Sequence, residues 1–406
     1  MEPSAKQPRA AMRKPLSEGL LVFILGLAGF CGALATRVVD PMVPEIGRDL
    51  MVEVTTAALL SSAFTLPYAF GQPILGPLGD AFGKAFIIKI CMAIMSLALL
   101  ASAVMPNFSG LFGLRLIAGL AGGGVIPLGM AMLGDRFAME RRQIAISRFM
   151  VMTLTGQAAG AALAGFLVEL FGWRYVFVGA GLISLAALAA LLRWLGARPG
   201  AQRGRFDLGE AFTRYASIFA NPRAKMCFSA VFIEGIAVYG MLPHIAHILE
   251  QLGKGSAREA GMVISGMGLG GVVYALIVPM LLRRLGMYGV MGTGGFVAAA
   301  GLAAAGFELA LPVGFLAFCV MGIGFYMVHN SLQTQASELS VTARGSAMAL
   351  HAFFFFVGQG IGPVVFGYGL TAFGIRLPLF LSALAIGLLG VITASALRSA
   401  ARRQPA

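Results

Sequence analysis

The chain has 406 residues, 58% hydrophobic and 12% charged, where soluble domains carry about 45–50% and about 25%; little room is left for a water-soluble enzyme. The formal net charge is +13, from 30 Lys and Arg against 17 Asp and Glu. No basic patch with interleaved aromatics lies on a polar domain, so nucleic acid is not an expected partner, and the positive charges sit between apolar runs as membrane-retention signals do.

Runs able to cross about 30 Å of hydrocarbon as helices need about 20 apolar residues each. They occur at 19-40, 56-76, 86-106, 110-133, 145-169 and 174-195, then at 226-250, 258-282, 288-309, 311-334, 347-371 and 376-398. Because lipid leaves no partner for open backbone and these runs are too evenly apolar for barrel strands, the predicted class is all-α integral membrane, with twelve transmembrane helices. A tail at 1-18 precedes a first six-helix bundle at 19-196. A polar linker at 197-225, containing Arg198, Arg203, Arg205, Asp207, Glu210, Arg214 and Arg223, leads to a second bundle at 226-398 and a tail at 399-406.

Alternate loops place 23 of the 30 basic residues on the side of the termini and six opposite, namely Arg37, Arg48, Arg174, Lys254, Arg258 and Arg376. That asymmetry predicts cytoplasmic termini and linker. A basic start, the apolar run from Leu20 and the triplet Ala33, Leu34, Ala35 imitate a cleavable signal peptide. Cleavage would strip the first half of the helix matching the span that opens the second half. Cys31, Cys91, Cys227 and Cys319 fall inside apolar stretches at no metal-like spacing, so neither disulfides nor a metal site is expected.

The second half echoes the first at an offset of 202 to 203 residues. Gly156, Gln157 and Gly160 recur as Gly358, Gln359 and Gly362, Phe171, Gly172 and Arg174 as Phe373, Gly374 and Arg376, and Gly83 as Gly286. Two parallel repeats about an axis normal to the membrane leave such an echo and imply a central cavity between the halves.

In chain order, the first polar features are Arg37 and Asp40, three residues apart and so on one helix face near the outer surface. Between the second and third spans runs Gly76, Pro77, Leu78, Gly79, Asp80, Ala81, Phe82, Gly83, Lys84. The fourth span carries Arg115, Gly119, Gly122, Gly123, Gly124 and Pro127, and Asp135 stands at its inner end. A cation inside a span costs about 2.5–3.5 kcal/mol, so Arg115 should face the cavity and possess a partner. Asp40 is the expected one, unless Asp40 merely ends its helix before Pro41 and Pro44. On the fifth span, Gly156, Gly160, Ala161, Ala164 and Gly165 form a small-residue seam, echoed on the eleventh by Gly358, Gly360, Gly362 and Pro363.

With these motifs in two six-span halves, the chain resembles the major facilitator superfamily, most closely its twelve-span bacterial drug:proton antiporter-like branch. The resemblance covers essentially the whole length. It implies a conformational latch at Gly76, Asp80, Gly83 and Lys84, in which Asp80 approaches the N-terminus of the eleventh helix. The family's Arg after that Asp is Ala81 here, which leaves Lys84 to reach Asp135. It also implies that Arg115 belongs to a proton-relay motif, and that Gly156, Gly160, Gly165, Gly358, Gly362 and Pro363 are helix-packing hinges. The antiporter motif's central Pro is replaced by Ala161.

Glu234 is the deepest carboxylate, about nine residues or roughly 13 Å into the seventh span. It either exchanges a proton, binds a cationic substrate, or is a structural group bonded across helices. His244, after Pro243, reads equally as a proton-handling group and an interfacial residue, whereas His247 reads as interfacial. Tyr326, His329 and Asn330 form a weaker polar set, and Gln157 and Gln359 suit either substrate or interhelical contacts. Phe353, Phe354, Phe355 and Phe356 cover every helical direction, so at least one should face the cavity.

The resemblance implies a proton-coupled secondary transporter in a bacterial-type inner membrane. It would work by alternating access and export small lipophilic or amphiphilic solutes, with Asp40, Arg115 and Glu234 carrying the coupling. A proton symporter importing a small organic acid, with Arg37 and Arg115 as anion ligands, is the nearest alternative. A non-transporting sensor is the alternative of another class. No phosphate loop and no convergent Ser-His-acid or metal-ligand set is visible. An enzyme is therefore not expected, no cofactor is required, and a proton gradient supplies the energy. Expected partners are a small-molecule substrate, protons and the bilayer, with the monomer as functional unit.

Overall fold

Hydrocarbon leaves a backbone only its own carbonyls as partners, and no strand occurs among the described residues. The computed structural model describes residues 17–196, 208–307, 310–340 and 343–403. Helix α1 (Glu18–Arg37) starts where the Ser17 hydroxyl accepts from the Leu20 amide. A 3-10 turn at Asp40–Met42 then leads into α2 (Val43–Asp49). The first span was expected to end at residue 40. Pro41 and Pro44 lack the N–H that a helix interior needs, so the chain tightens for a turn and resumes rather than stopping.

The rest of the first half is α3 (Val54–Phe82), α4 (Lys84–Ser102), α5 (Phe108–Arg136), α6 (Met139–Phe171) and α7 (Trp173–Trp194). Helix α8 (Leu208–Phe219) lies within the expected linker, whose Arg198, Arg203, Arg205 and Asp207 fall outside the described residues. The second half runs α9 (Pro222–Tyr239), a 3-10 turn at Leu242–His244, α10 (Ile245–Gln251), α11 (Ala257–Phe307), α12 (Val313–Ser337), α13 (Arg344–Phe373) and α14 (Arg376–Arg403). The break after α9 repeats the break after α1, 202 residues later.

Among the described residues, ten segments are long and apolar enough to cross a membrane. One of them, α11, is two crossings joined at Gly286, whose φ of 65° suits glycine; Gly83, at φ 98°, makes the corresponding turn between α3 and α4. Helix α3 also has crossing length, although Gln72 and three internal prolines dilute its apolar character. With α3 and both arms of α11, twelve crossings result among the described residues.

Each half has its own apolar core. In the first, α1 packs on α6, and α5 on α3 and α4; in the second, α9 packs on α13, and α11 on α12 and α14. The halves meet along α6 with α11 and α3 with α13. Glycines set the closest approaches. A Cβ at Gly156 would stand 2.3 Å from the Phe30 oxygen, and one at Gly160 2.6 Å from that of Leu34. In the second half a Cβ at Gly358 would stand 2.1 Å from the Phe232 oxygen, and one at Gly362 2.8 Å from Gly240 Cα. Gly165 does the same between the halves, 2.4 Å from the Ala257 oxygen.

Candidate functional site

A cavity of about 550 Å³ lies between the halves. Its deep end is lined by Arg37, Tyr239 and Gln359, and its mouth by Asp80, Lys84, Tyr215 and Gly345. That mouth lies on the face carrying the α3–α4 turn and the start of α13, called here the basic face because Arg136, Arg141, Arg283, Arg284 and Arg344 cluster at the same helix ends. Of the four consecutive phenylalanines, Phe355 and Phe356 line the cavity. Phe353 packs on Phe70 and Phe354 stacks on Phe228, with ring centroids 5.2 and 5.3 Å apart.

The opposite face is closed. Arg48 of α2 pairs with Glu250 of α10 at 3.0 Å, joining the two short helices that follow the breaks. Glu169 at the end of α6 accepts from the Ser256 hydroxyl and, at 3.2 Å, from the Arg258 amide. Both links cross between the halves.

At the deep end, Arg37 Nη1 lies 3.2 Å from Asp40 Oδ2, and Ser61 donates to Asp40 Oδ1 at 2.6 Å. The other guanidinium nitrogen donates to Gln359 Oε1 of α13, and the guanidinium carbon lies 4.5 Å from the Tyr239 ring centre. One side chain of the first half thus reaches two helices of the second. Asp40 is fully buried, so the paired charge of Arg37 and the hydrogen bond from Ser61 hold a carboxylate where water does not.

Arg115 does not pair with Asp40 as expected. Its Nε donates to the Leu60 oxygen at 3.2 Å and its Nη1 to that of Ala35 at 3.0 Å, while Phe64 covers its face at 4.4 Å. It is fully buried and does not line the cavity. Arg37 wins Asp40 because it sits one turn away on the same chain segment, whereas Arg115 is satisfied by the Ala35 oxygen in the last turn of α1 and by the Leu60 oxygen within α3.

Glu234 is fully buried in α9, and its Oε2 lies 2.9 Å from Nδ1 of His329 on α12. His329 itself lines the cavity, between Glu234 and the open space. Its ring stacks on Phe325 and tilts against Phe355, at centroid separations of 5.2 and 4.5 Å. No depth argument on the seventh span alone reveals this partner, which comes from a helix 95 residues later. His351 of α13 completes the group with its ring centre 5.1 Å from that of His329. It was not singled out in the sequence, although an ionisable residue inside a predicted span is a signal that would have found it.

Gln157, Tyr326 and Asn330 line the cavity. His244 does not; it is buried in the turn after α9, where Nε2 meets the Pro363 oxygen at 3.0 Å and the ring stacks on Phe366. At the mouth, Lys84 Nζ lies 2.6 Å from Asp135 and 3.2 Å from Asp80. Asp80 and the first turn of α13, at Gly345 and Ser346, face the same opening, and among the described residues no hydrogen bond joins them. Gly76 lines that opening and Gly83 makes the turn. No group of His, Cys, Asp and Glu among the described residues has the geometry of a metal site.

This architecture has close counterparts. The structure superposes on an inward-facing, unoccupied bacterial homologue of the human lysosomal transporter Spinster with a TM-score of 0.75, at 18% identity over 97% of this chain and 99% of that one. A D-xylose-proton symporter also gives 0.75, at 15% identity over 93% and 96%. In sequence the chain is 24% identical to the uncharacterized MFS-type transporter YybF of Bacillus subtilis over 84% of each chain. It is 28% identical to the efflux pump radE of Floropilus chiversii, over 44% of this chain and about a third of the pump's length, 34%. The Major Facilitator Superfamily model matches residues 25–342. A twelve-crossing helical fold in two echoing halves, a cavity between them and a family match over most of the length agree: the chain belongs to the Major Facilitator Superfamily and is a membrane transporter.

Proposed function

We propose that this transporter is proton-coupled, works by alternating access, and exports small lipophilic or amphiphilic solutes. The observation that carries the reading is Glu234 paired with His329 at the wall of a cavity shared by both halves. A carboxyl at that depth is stable as a protonated acid or as one member of a pair, so its proton state and the state of the cavity are linked. The predominance of basic residues on the open face supports a cytoplasmic location for that face. In this arrangement the cavity takes solute from the cytoplasm. Rocking of the halves then separates Arg48 from Glu250 and exposes the deep end to the other side, where protons enter. Asp40 is a second protonatable group, and loss of its charge frees the Arg37 link to α13. Names of relatives such as efflux pump, and the aromatic cavity wall, support export of apolar solutes.

Symport of a small organic acid is favoured by one observation, Arg37 at the cavity's deep end. Arg115 gives it no help, being enclosed and bonded to carbonyls. Everted vesicles with a respiration-acidified lumen separate the two readings over a panel of lipophilic cations, organic acids and sugars. An exported solute dissipates the pH gradient, and Glu234→Gln abolishes the dissipation. A solute that deepens the gradient establishes symport, and dissipation unchanged in Glu234→Gln removes Glu234 from coupling.

A further inference from the structure

His351 is an imidazole with no counterpart in the coupling scheme above. It is 2% exposed, and neither Nδ1 nor Nε2 makes a hydrogen bond to protein. Burying both nitrogens without protein partners is unfavourable, and an apolar residue would fill the space without that cost. Its position is also specific. It borders the cavity, and its ring centre lies 5.1 Å from that of His329, tilted by 52°. At that separation one rotation of a ring or one bridging water links their nitrogens. His329 in turn contacts Glu234 through Nδ1, and Glu234 does not border the cavity.

We propose that His351 and His329 form a two-imidazole relay that carries the proton between the cavity and Glu234, with His351 as the entry station. This rests on the reading of Glu234 as a proton-exchanging carboxyl. A proton from cavity water bonds one ring nitrogen of His351. The proton on its other nitrogen passes to Nε2 of His329, and the Nδ1 proton of His329 passes to Oε2 of Glu234. Both imidazoles end neutral with one N–H each, and the carboxylate becomes a carboxylic acid. Release runs the same steps backwards.

Titratable groups on the elements packed against α13 are few near this wall. Glu234 and Tyr239 come from α9, His329 and Tyr326 from α12, Tyr68 from α3 and Tyr215 from α8. His244, in the turn after α9, meets α13 further along, at Pro363. No Lys or Arg side chain pairs with Glu234, His329 or His351 among the described residues. Both imidazoles border the cavity, and His329 joins them to Glu234.

The test follows protonation of Glu234 directly, on the purified full chain in nanodiscs, by time-resolved infrared spectroscopy after an acid pH jump. The carbonyl band of the protonated carboxyl is identified by its loss in Glu234→Gln. In His351→Ala the band should appear at least about tenfold more slowly, a modest share of what positioned proton carriers contribute. Added imidazole, which matches the ring removed, should restore most of the rate. His351→Asn, which keeps much of the volume, should be equally slow, and it serves if the alanine variant fails to fold. Wild-type rates in either folded variant overturn the relay, as does a slow His351→Ala that imidazole leaves slow. A wild-type protein with no Glu234-dependent band overturns the reading of Glu234 itself, and the relay with it.

Discussion

The Arg37–Asp40 pair shows what one buried charge requires of its surroundings. Removing a single partner of such a pair leaves an uncompensated charge and costs about 3–5 kcal/mol, whereas replacing both with neutral groups is close to neutral. Asp40→Asn should therefore lower the thermal midpoint in detergent sharply, and Arg37→Gln in the same chain should recover most of the loss. A double variant as unstable as the sum of the two singles would show that the residues stabilise the fold independently of each other. Transport should stay defective in the double variant if the link from Arg37 to Gln359 serves the cycle. Spacing along one helix made the shared face of Arg37 and Asp40 visible, since residues three apart are neighbours. The same reasoning is silent about contacts between helices. It assigned Asp40 to Arg115, and it could not pair Glu234 with a histidine 95 residues away.

At the scale of helices, the long apolar runs and the echo at 202 to 203 residues carry most of the architecture, because lipid allows so few alternatives. What they leave out is local. The resumption of helix at Val43–Asp49 after two prolines and the helix at Leu208–Phe219 depend on packing at the membrane boundary, where apolar periodicity is short. The small-residue seams, by contrast, are visible in the sequence and acquire distances in the structure. A methyl group at Gly358 would strike a backbone oxygen of α9, which no rotamer change relieves, while one at Gly76 meets nothing within 4 Å. Gly358→Ala should destabilise the chain by about 1–3 kcal/mol, as overpacked cores do. Gly76→Ala should leave the melting temperature where it is. Equal midpoints for the two variants would mean that α9 and α13 are not held at the separation described.

For the whole molecule, the closed face is where the two halves hold each other through exposed groups. Arg48 and Glu250 occupy equivalent places in the two repeats, and at 63% and 28% side-chain exposure their attraction contributes only about 0.2–1 kcal/mol. So small a term is suited to a gate, because two conformations that must interconvert cannot differ by much more than a few kcal/mol. Arg48→Glu removes the attraction and adds repulsion of similar size, and each 1.36 kcal/mol or so is tenfold in an equilibrium. The population open to the outside should rise by roughly tenfold. A cysteine at Gln157, which lines the cavity, reports this state through labelling by a membrane-impermeant maleimide added outside. Labelling should be slow in the parent, accelerate in Arg48→Glu, and slow again in the swap Arg48→Glu with Glu250→Arg, which rebuilds the pair with its charges exchanged. Acceleration that the swap fails to reverse would show that Arg48 acts on something other than Glu250, and the seam between α2 and α10 would then not be what keeps the outer face shut.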